Sequence, residues 1–250
     1  MEVVALTALG VGGATVFGAV LGFSLKKITH RLSDIVLAFA AGIMMAAAVM
    51  GLILPSLEAG GEFALLYTIS GIFCGALCIK LIDKLVPHLH RVAGADIEDH
   101  ENNKKLSKIL LFVLAIAIHN FPEGIAAGVG FGSGNNADAF VVAGGIALQN
   151  SPEGMVIIAP LLAAGVSARK TFLLASMTGV VEVIGTFVGY FAVSLSAAVL
   201  PFALAFAGGT MLYVISDEMI PETHHESATA PTFSLLLGFC VMLVTDFYLG

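Results

Sequence analysis

Residues 119–124 read HNFPEG and residues 149–154 read QNSPEG, so a proline–glutamate–glycine pattern occurs twice, thirty positions apart. Each copy follows an apolar run: ILLFVLAIAI at 109–118 precedes the first and AFVVAGGIAL at 139–148 precedes the second. Runs of this kind are typical of helices that cross a lipid bilayer. The sequence therefore places two sets of polar side chains within hydrocarbon, where polar groups are costly.

Composition extends this interpretation to the whole chain. The 250 residues are 58% hydrophobic and only 12% charged, with a mean hydropathy of +0.98. Soluble domains carry about 25% charged residues, so this chain cannot cover itself with a water-facing surface. We predict an all-α, polytopic membrane protein that forms a single transmembrane domain over residues 1–250. The predicted spans number eight, at 3–25, 35–55, 63–83, 107–130, 138–163, 171–195, 200–220 and 232–249.

Positive charge predicts the orientation of these spans. All 11 Lys and Arg residues lie in or beside the first, third and fifth connections, and the second, fourth and sixth connections have none. Cytoplasmic loops collect Lys and Arg. We therefore expect the chain to lie in the cell (inner) membrane, with the odd-numbered connections in the cytosol and both termini on the outer side. No basic patch lies outside these connections, so we expect membrane lipid as a partner and no nucleic acid. The longest connection, about 84–106, is polar, and we expect a mobile cytosolic loop there.

Two prolines predict where the helices open toward a cavity. Proline lacks an N–H donor and clashes with the carbonyl four residues earlier. Pro122 therefore kinks the fourth helix and frees the carbonyl of Ile118, and Pro152 does the same in the fifth helix to Leu148. Unpaired backbone is tolerated within a membrane only where protein or a water-filled cavity satisfies it. Discontinuous helices near the middle of the membrane line binding sites in many transporters.

The polar side chains around these prolines predict a metal site. Those of each motif share one helix face because they are three or four residues apart, and one further carboxylate stands in the apolar sixth span. A charge at the centre of a bilayer costs from about 2.5 to over 10 kcal/mol, and facing carboxylates need protons or a cation between them. We predict that seven residues surround one divalent metal ion, or two ions that share Glu123 and Glu153. These residues are His119, Asn120, Glu123, Gln149, Asn150, Glu153 and Glu182.

A buried hydrogen-bonded His–Glu pair would explain one copy of the motif, but it would not explain two copies together with Glu182. One imidazole with several oxygen ligands and no thiolate suits Zn²⁺, with Fe²⁺, Mn²⁺, Co²⁺ and Cd²⁺ as alternatives. The same set is less suited to Cu⁺, Ca²⁺ or Mg²⁺. We therefore predict a divalent transition-metal transporter.

Two other classes of function would make different demands on the sequence. A proton- or sodium-coupled transporter of another substrate would use the buried carboxylates as a relay. An intramembrane enzyme would need a catalytic motif, but no HExxH pattern or serine nucleophile motif is evident, so we expect no enzyme. Glycines four residues apart, such as Gly18 with Gly22 and Gly124 with Gly128, predict closely packed helices and not binding sites.

At these residues the sequence resembles the ZIP (Zrt-/Irt-like) metal transporters, and within them the GufA-like prokaryotic branch. HNFPEG is similar to the signature of the fourth helix in that family, and QNSPEG is similar to that of the fifth. AGGTMLYVISDEMIPETH at 207–224 resembles the seventh helix, and GALCIKLIDKLVPHLH at 75–90 resembles the end of the third. The resemblance implies eight helices in a 3+2+3 arrangement, a homodimer, and metal movement into the cytosol by an elevator-like slide.

The resemblance also implies roles for individual residues. A first metal position would use His119, Glu123, Gln149 and Glu153. A second would use Asn120, Asn150 and Glu182, bridged by Glu123 and Glu153. The implied transport path has an outer entrance at Glu58 and a cytosolic exit at His88, His90, Asp217 and Glu218. The chain departs from some members at Gln149 and Asn150, which replace stronger ligands, and at Val183, which replaces a proline and leaves the sixth helix straighter.

Overall fold

The computed structural model describes residues 1–24, 30–92, 117–118, 120–131, 136–163, 165–195, 197–223 and 229–249. These residues are helical apart from short turns, and no β-strand occurs among them. Within these described ranges, six helices contain a stretch long and apolar enough to cross a membrane, which confirms the predicted all-α membrane class. The number of spans, eight, and their orientation stay predictions.

The helices follow the predicted segments closely. The first three are α1 (Glu2–Ser24), α2 (His30–Ala46, then a wide turn at Ala47–Ile53, then Leu54–Ala59) and α3 (Ala64–Val92). The central two are α4, described over residues 120–130, and α5 (Asn136–Ala163). The last three are α6 (Ala168–Leu195), α7 (Leu200–Val214, then a wide turn at Ile215–Met219, then Ile220–Glu222) and α8 (Thr229–Leu249). Helix α6 has no interruption at Val183.

The predicted third span, 63–83, agrees with the membrane-length stretch Gly61–Ile82, but the loop predicted after it begins later than expected. Helix α3 does not end at residue 83 but continues to Val92, so the first part of the segment predicted as a loop, 84–92, is helical. The remainder of that predicted loop lies outside the described residues.

The helices form two groups, which meet chiefly where α2 and α8 pack against α5. In the first group α1 packs against α5 and α6, and α4 packs against α6. In the second group α2 packs against α8, and α3 packs against α7. Helices α2 and α5 join the groups, with Gly51 close to Val142 and Ala47 close to Gly145. This joining contact is apolar.

Glycines permit the closest helix approaches. A methyl group added at Gly124 would collide with the carbonyl oxygen of Glu182, and one added at Gly154 would collide with that of Thr15. These two glycines end the HNFPEG and QNSPEG motifs. The predicted packing role of the glycine pairs is therefore confirmed, and each motif is pressed against a neighbouring helix.

Helices α2 and α7 each widen immediately before a proline, a feature that the sequence analysis did not predict. The amide of Leu54 donates to the carbonyl of Val49, and the amide of Ile220 donates to that of Ile215, five residues back in both cases. Pro55 and Pro221 follow at once. A wider turn moves the carbonyls that a proline ring would otherwise strike.

Beyond the wide turn of α2, a buried serine connects three helices. The hydroxyls of Ser56 and Thr68 on α3 form a hydrogen bond of 2.8 Å, and the Ser56 hydroxyl also donates to the carbonyl oxygen of Pro201 on α7 at 2.7 Å. Both hydroxyl side chains are buried. This network fixes α2, α3 and α7 to one another within the second group of helices.

Candidate metal centre

Six of the seven predicted site residues are described, and the fold brings them together from α4, α5 and α6. All six side chains are buried, five with no exposed surface and Glu153 with 9% of its surface exposed. The seventh, His119, lies outside the described residues. The six are Asn120, Glu123, Gln149, Asn150, Glu153 and Glu182.

Glu182 is held by three hydrogen-bond donors from three helices. Its Oε1 accepts from the Thr15 hydroxyl of α1 at 2.8 Å and from the Asn120 amide of α4. Its Oε2 accepts from the Asn150 amide of α5 at 2.8 Å. The same Asn150 amide donates to the carbonyl of Val11 at 3.3 Å. Both oxygens of this buried carboxylate are therefore satisfied.

Thr15 is the functional residue that the sequence analysis missed. Its hydroxyl lies in GVGGATVFG at 10–18, a stretch that otherwise contains only apolar residues and glycines. A single hydroxyl within a membrane helix usually bonds to its own backbone, so it carries little signal. The signal that would have found it is a comparison of this stretch with the one around Glu182.

The orientation of the two asparagines follows from the chemistry of Glu182. The carboxylate oxygens of Glu182 act as acceptors, so each asparagine turns its NH₂ group toward Glu182 and its oxygen away from it. Among the described residues, Asn120 Oδ1 and Asn150 Oδ1 have no hydrogen-bond partner. Two amide oxygens are thus left to face something else.

Glu123 and Gln149 present further unsatisfied atoms. Both carboxylate oxygens of Glu123 and both polar atoms of Gln149 are buried and lack a hydrogen-bond partner within the described part of the chain, although the two side chains lie beside each other. An unsatisfied buried polar group costs about 1–3 kcal/mol, and a charged one costs more. A cluster of such oxygens is the donor set that a dehydrated cation requires.

The charge of the cluster also favours a bound cation. The carboxylate of Glu123 is close enough to those of Glu153 and Glu182 to be repelled by both, and Glu153 also repels Glu182. Like charges in a buried site need protons or a cation between them. The arrangement therefore combines an excess of negative charge with uncommitted oxygen atoms.

The centre does not rest on acidic and histidine side chains alone. Within the ranges that the structure describes, no three or more His, Cys, Asp or Glu side chains are grouped so as to hold a metal ion. Amide oxygens of Asn120, Gln149 and Asn150 complete the candidate set beside Glu123 and Glu153. Such oxygen-rich sets are compatible with divalent metal ions.

Three of the predicted path residues have described side chains, and none of these three is fully buried. Glu58 is exposed near the end of α2, and in the wide turn of α7 Asp217 is exposed and Glu218 half-buried. His88 and His90 lie on α3, and their side chains are outside what the structure describes. The role of these five residues in a transport path stays a prediction.

The chain is similar to known proteins over most of its length. A family model described as "ZIP Zinc transporter" matches residues 98–246. The chain is 40% identical over 206 residues to "Zinc transporter GufA" of Myxococcus xanthus, covering 80% of each chain. It is 35% identical over 246 residues to "Zinc transporter ZIPB" of Bordetella bronchiseptica, covering 95% of this chain and 78% of that protein. It is also 35% identical to "Zinc transporter ZupT" of Chlorobaculum parvum, covering 94% and 92%.

Proposed function

Because this chain belongs to the ZIP zinc transporter family, we propose that it carries Zn²⁺ through the buried centre formed by α1, α4, α5 and α6. The chain is a membrane transporter of divalent metal ions and not an enzyme. Zinc as the ion is supported by relatives that are 35–40% identical and are named zinc transporters. The oxygen-rich donor set with a predicted imidazole suits zinc as well.

One observation carries the proposal: the Glu123 carboxylate is fully buried, and neither of its oxygens has a hydrogen-bond partner among the described residues. An entering ion would exchange its water for Glu123 and Glu153 and for the amide oxygens beside them. His119, the predicted nitrogen ligand, precedes Asn120 in the same motif. A second ion at Glu182 would have to displace the donors that already satisfy it, so the arrangement favours one ion.

The two groups of helices suggest how the ion moves. The first group holds the whole described centre, and it meets the second group through apolar contacts between α2 and α5. Such contacts have no preferred direction and break no hydrogen bond when they slide. This supports an elevator-like slide of the first group. Import into the cytosol, placement in the cell (inner) membrane with both termini outside, and a homodimer surrounded by lipid belong to the same proposal.

Zinc binding should stabilise the folded protein. A ligand that binds only the folded state adds about 2.7 kcal/mol to the free energy of unfolding at a hundred times its Kd. We expect the Tm of the purified protein in detergent to rise with Zn²⁺ concentration and to respond far less to Mg²⁺ at equal ionic strength. A transporter that uses its carboxylates as a proton or sodium relay would show no such response, so a Tm insensitive to Zn²⁺ would contradict the proposal.

Acidification should slow uptake. A protonated carboxyl group is a poor metal ligand, so protons and Zn²⁺ compete for the oxygens of Glu123 and Glu153. We expect the initial rate of zinc uptake into proteoliposomes to fall as the external pH is lowered from neutral to mildly acidic values. The assay is repeated with a protonophore, which separates competition at the site from coupling to a proton gradient. A rate that does not change with external pH under both conditions would exclude proton competition.

A further inference from the structure

The stretch around Thr15 repeats the stretch around Glu182. Residues 12–22 read GGATVFGAVLG and residues 179–189 read GVVEVIGTFVG, with glycine at the first, seventh and eleventh positions and valine at the fifth. Thr15 and Glu182 occupy the fourth position of the two stretches. The repeat lies in α1 and α6, the two helices that contact each other in the first group.

The same repeat appears in how these helices pack. Gly154, which ends QNSPEG in α5, lies against the carbonyl of Thr15, and Gly124, which ends HNFPEG in α4, lies against the carbonyl of Glu182. The neighbouring glycines keep this correspondence: Gly18 lies against Ser151 and Gly185 against Phe121, and Gly22 lies against Met155 and Gly189 against Ile125. Helix α1 therefore meets α5 in the same register in which α6 meets α4. Thr15 is the positional counterpart of Glu182.

Thr15 is held firmly in that position. Its side chain has no exposed surface, and a methyl group built at Gly179 would lie 3.4 Å from its Cβ. A β-branched residue in a helix has few available rotamers. The hydroxyl is thus fixed toward Glu182, to which it donates at 2.8 Å.

We propose that Thr15 is a positioning residue for metal transport, acting through Glu182 on the two asparagines that present their oxygens to the ion. This inference rests on the proposed function. The Thr15 hydroxyl holds one oxygen of Glu182, and the carboxylate holds the amide groups of Asn120 and Asn150. Because those NH₂ groups are engaged, Asn120 Oδ1 and Asn150 Oδ1 are left for the ion. The fourth position of the repeat is thus the acidic Glu182 in α6 and the neutral hydrogen-bond donor Thr15 in α1.

Thr15→Val, Thr15→Ser and a control variant test this role. Valine has the shape of threonine without the hydroxyl, and serine keeps the hydroxyl. Only Thr15→Val loses the hydrogen bond to Glu182. We therefore expect the KM of the Thr15→Val variant for zinc uptake to rise about tenfold, while its maximal rate per inserted protein changes far less. Thr15→Ser should keep the wild-type KM. Thr210→Val should do so too, because the hydroxyl of that buried threonine donates to the Ala207 carbonyl within α7, at 2.6 Å.

A double-mutant cycle separates positioning from a purely structural role. If Thr15 acts through Glu182, adding Thr15→Val to Glu182→Gln should raise the KM for zinc little beyond the value of Glu182→Gln alone. A structural role would lower the Tm of the metal-free protein and leave the KM per folded molecule unchanged. If Thr15→Val does not fold, Thr15→Ala takes its place in the same KM and Tm measurements.

Two results would overturn the inference. One is a KM for Thr15→Val equal to that of Thr15→Ser, and the other is full additivity of Thr15→Val with Glu182→Gln. Either result, obtained with a wild-type protein that transports zinc, leaves the proposed function intact. A wild-type protein that neither binds nor takes up zinc would instead refute the proposed function itself.

Discussion

Glu123→Ala should abolish zinc uptake while the protein still inserts in the membrane. The substitution removes both carboxylate oxygens of Glu123, which have no hydrogen-bond partner among the described residues, and with them part of the counter-charge that a dehydrated divalent ion needs. Changing a residue that only supports a metal ligand typically lowers metal affinity or activity about 10–100-fold. Loss of a direct ligand should therefore lower the uptake rate about 100-fold or more. Glu153→Ala should likewise abolish zinc uptake without preventing insertion in the membrane. The measurement is the initial rate of zinc uptake into proteoliposomes, normalised to inserted protein.

Glu62→Ala provides the matched control, because Glu62 is an exposed carboxylate in the turn between α2 and α3. Its uptake rate should equal that of the wild type. Uptake that remains undiminished in both Glu123→Ala and Glu153→Ala would exclude the buried centre as the route of the ion.

Gly154→Ala should destabilise the protein strongly, whereas Gly144→Ala in the same helix should not. A methyl group at Gly154 would collide with the Thr15 carbonyl, which is backbone and cannot rotate away, but one at Gly144 would meet no atom within 4 Å. Overpacking of this kind costs about 1–3 kcal/mol or more. In contrast, replacing a helical glycine by alanine without steric conflict gains up to about 1 kcal/mol.

The Tm of the metal-free protein in detergent measures the difference between the two glycine variants. It should fall markedly for Gly154→Ala and stay level or rise for Gly144→Ala. Equal Tm values in the two variants would mean that α1 and α5 separate easily at this point. That outcome would contradict the tight packing that holds Thr15 beside the centre.

The positions of the helices were predictable because hydropathy and length decide which segments suit a bilayer. The candidate site residues were predictable for a related reason: Glu123, Glu153 and Glu182 are carboxylates in apolar helices, where each is expensive. Neither argument depends on tertiary contacts. The continuation of α3 to Val92 was missed because the stretch after the apolar segment is polar and was therefore predicted as a loop.

What the sequence analysis did not predict was the hydrogen bonding of these carboxylates. The fold gives Glu182 three donors and leaves Glu123 with none among the described residues. That difference depends on Thr15, which is far away in the sequence and weak as a signal. The wide turns in α2 and α7 were not predicted either, although the prolines that follow them explain their presence.

The wide turn in α2 has a consequence for which kinds of mutation this helix can accept. Such a turn holds one residue more than a regular helix would, and each residue of a helix turns the chain by about 100°. The extra residue lets α2 pass Pro55 while Ser56 keeps its bonds to Thr68 and Pro201. Deleting one residue from Ala47–Ile53 would leave a regular turn, in which the ring of Pro55 strikes the carbonyl four residues before it, so the helix would have to bend and carry Ser56 away from both partners. In this helix the count of residues, and not their identity alone, is under structural constraint.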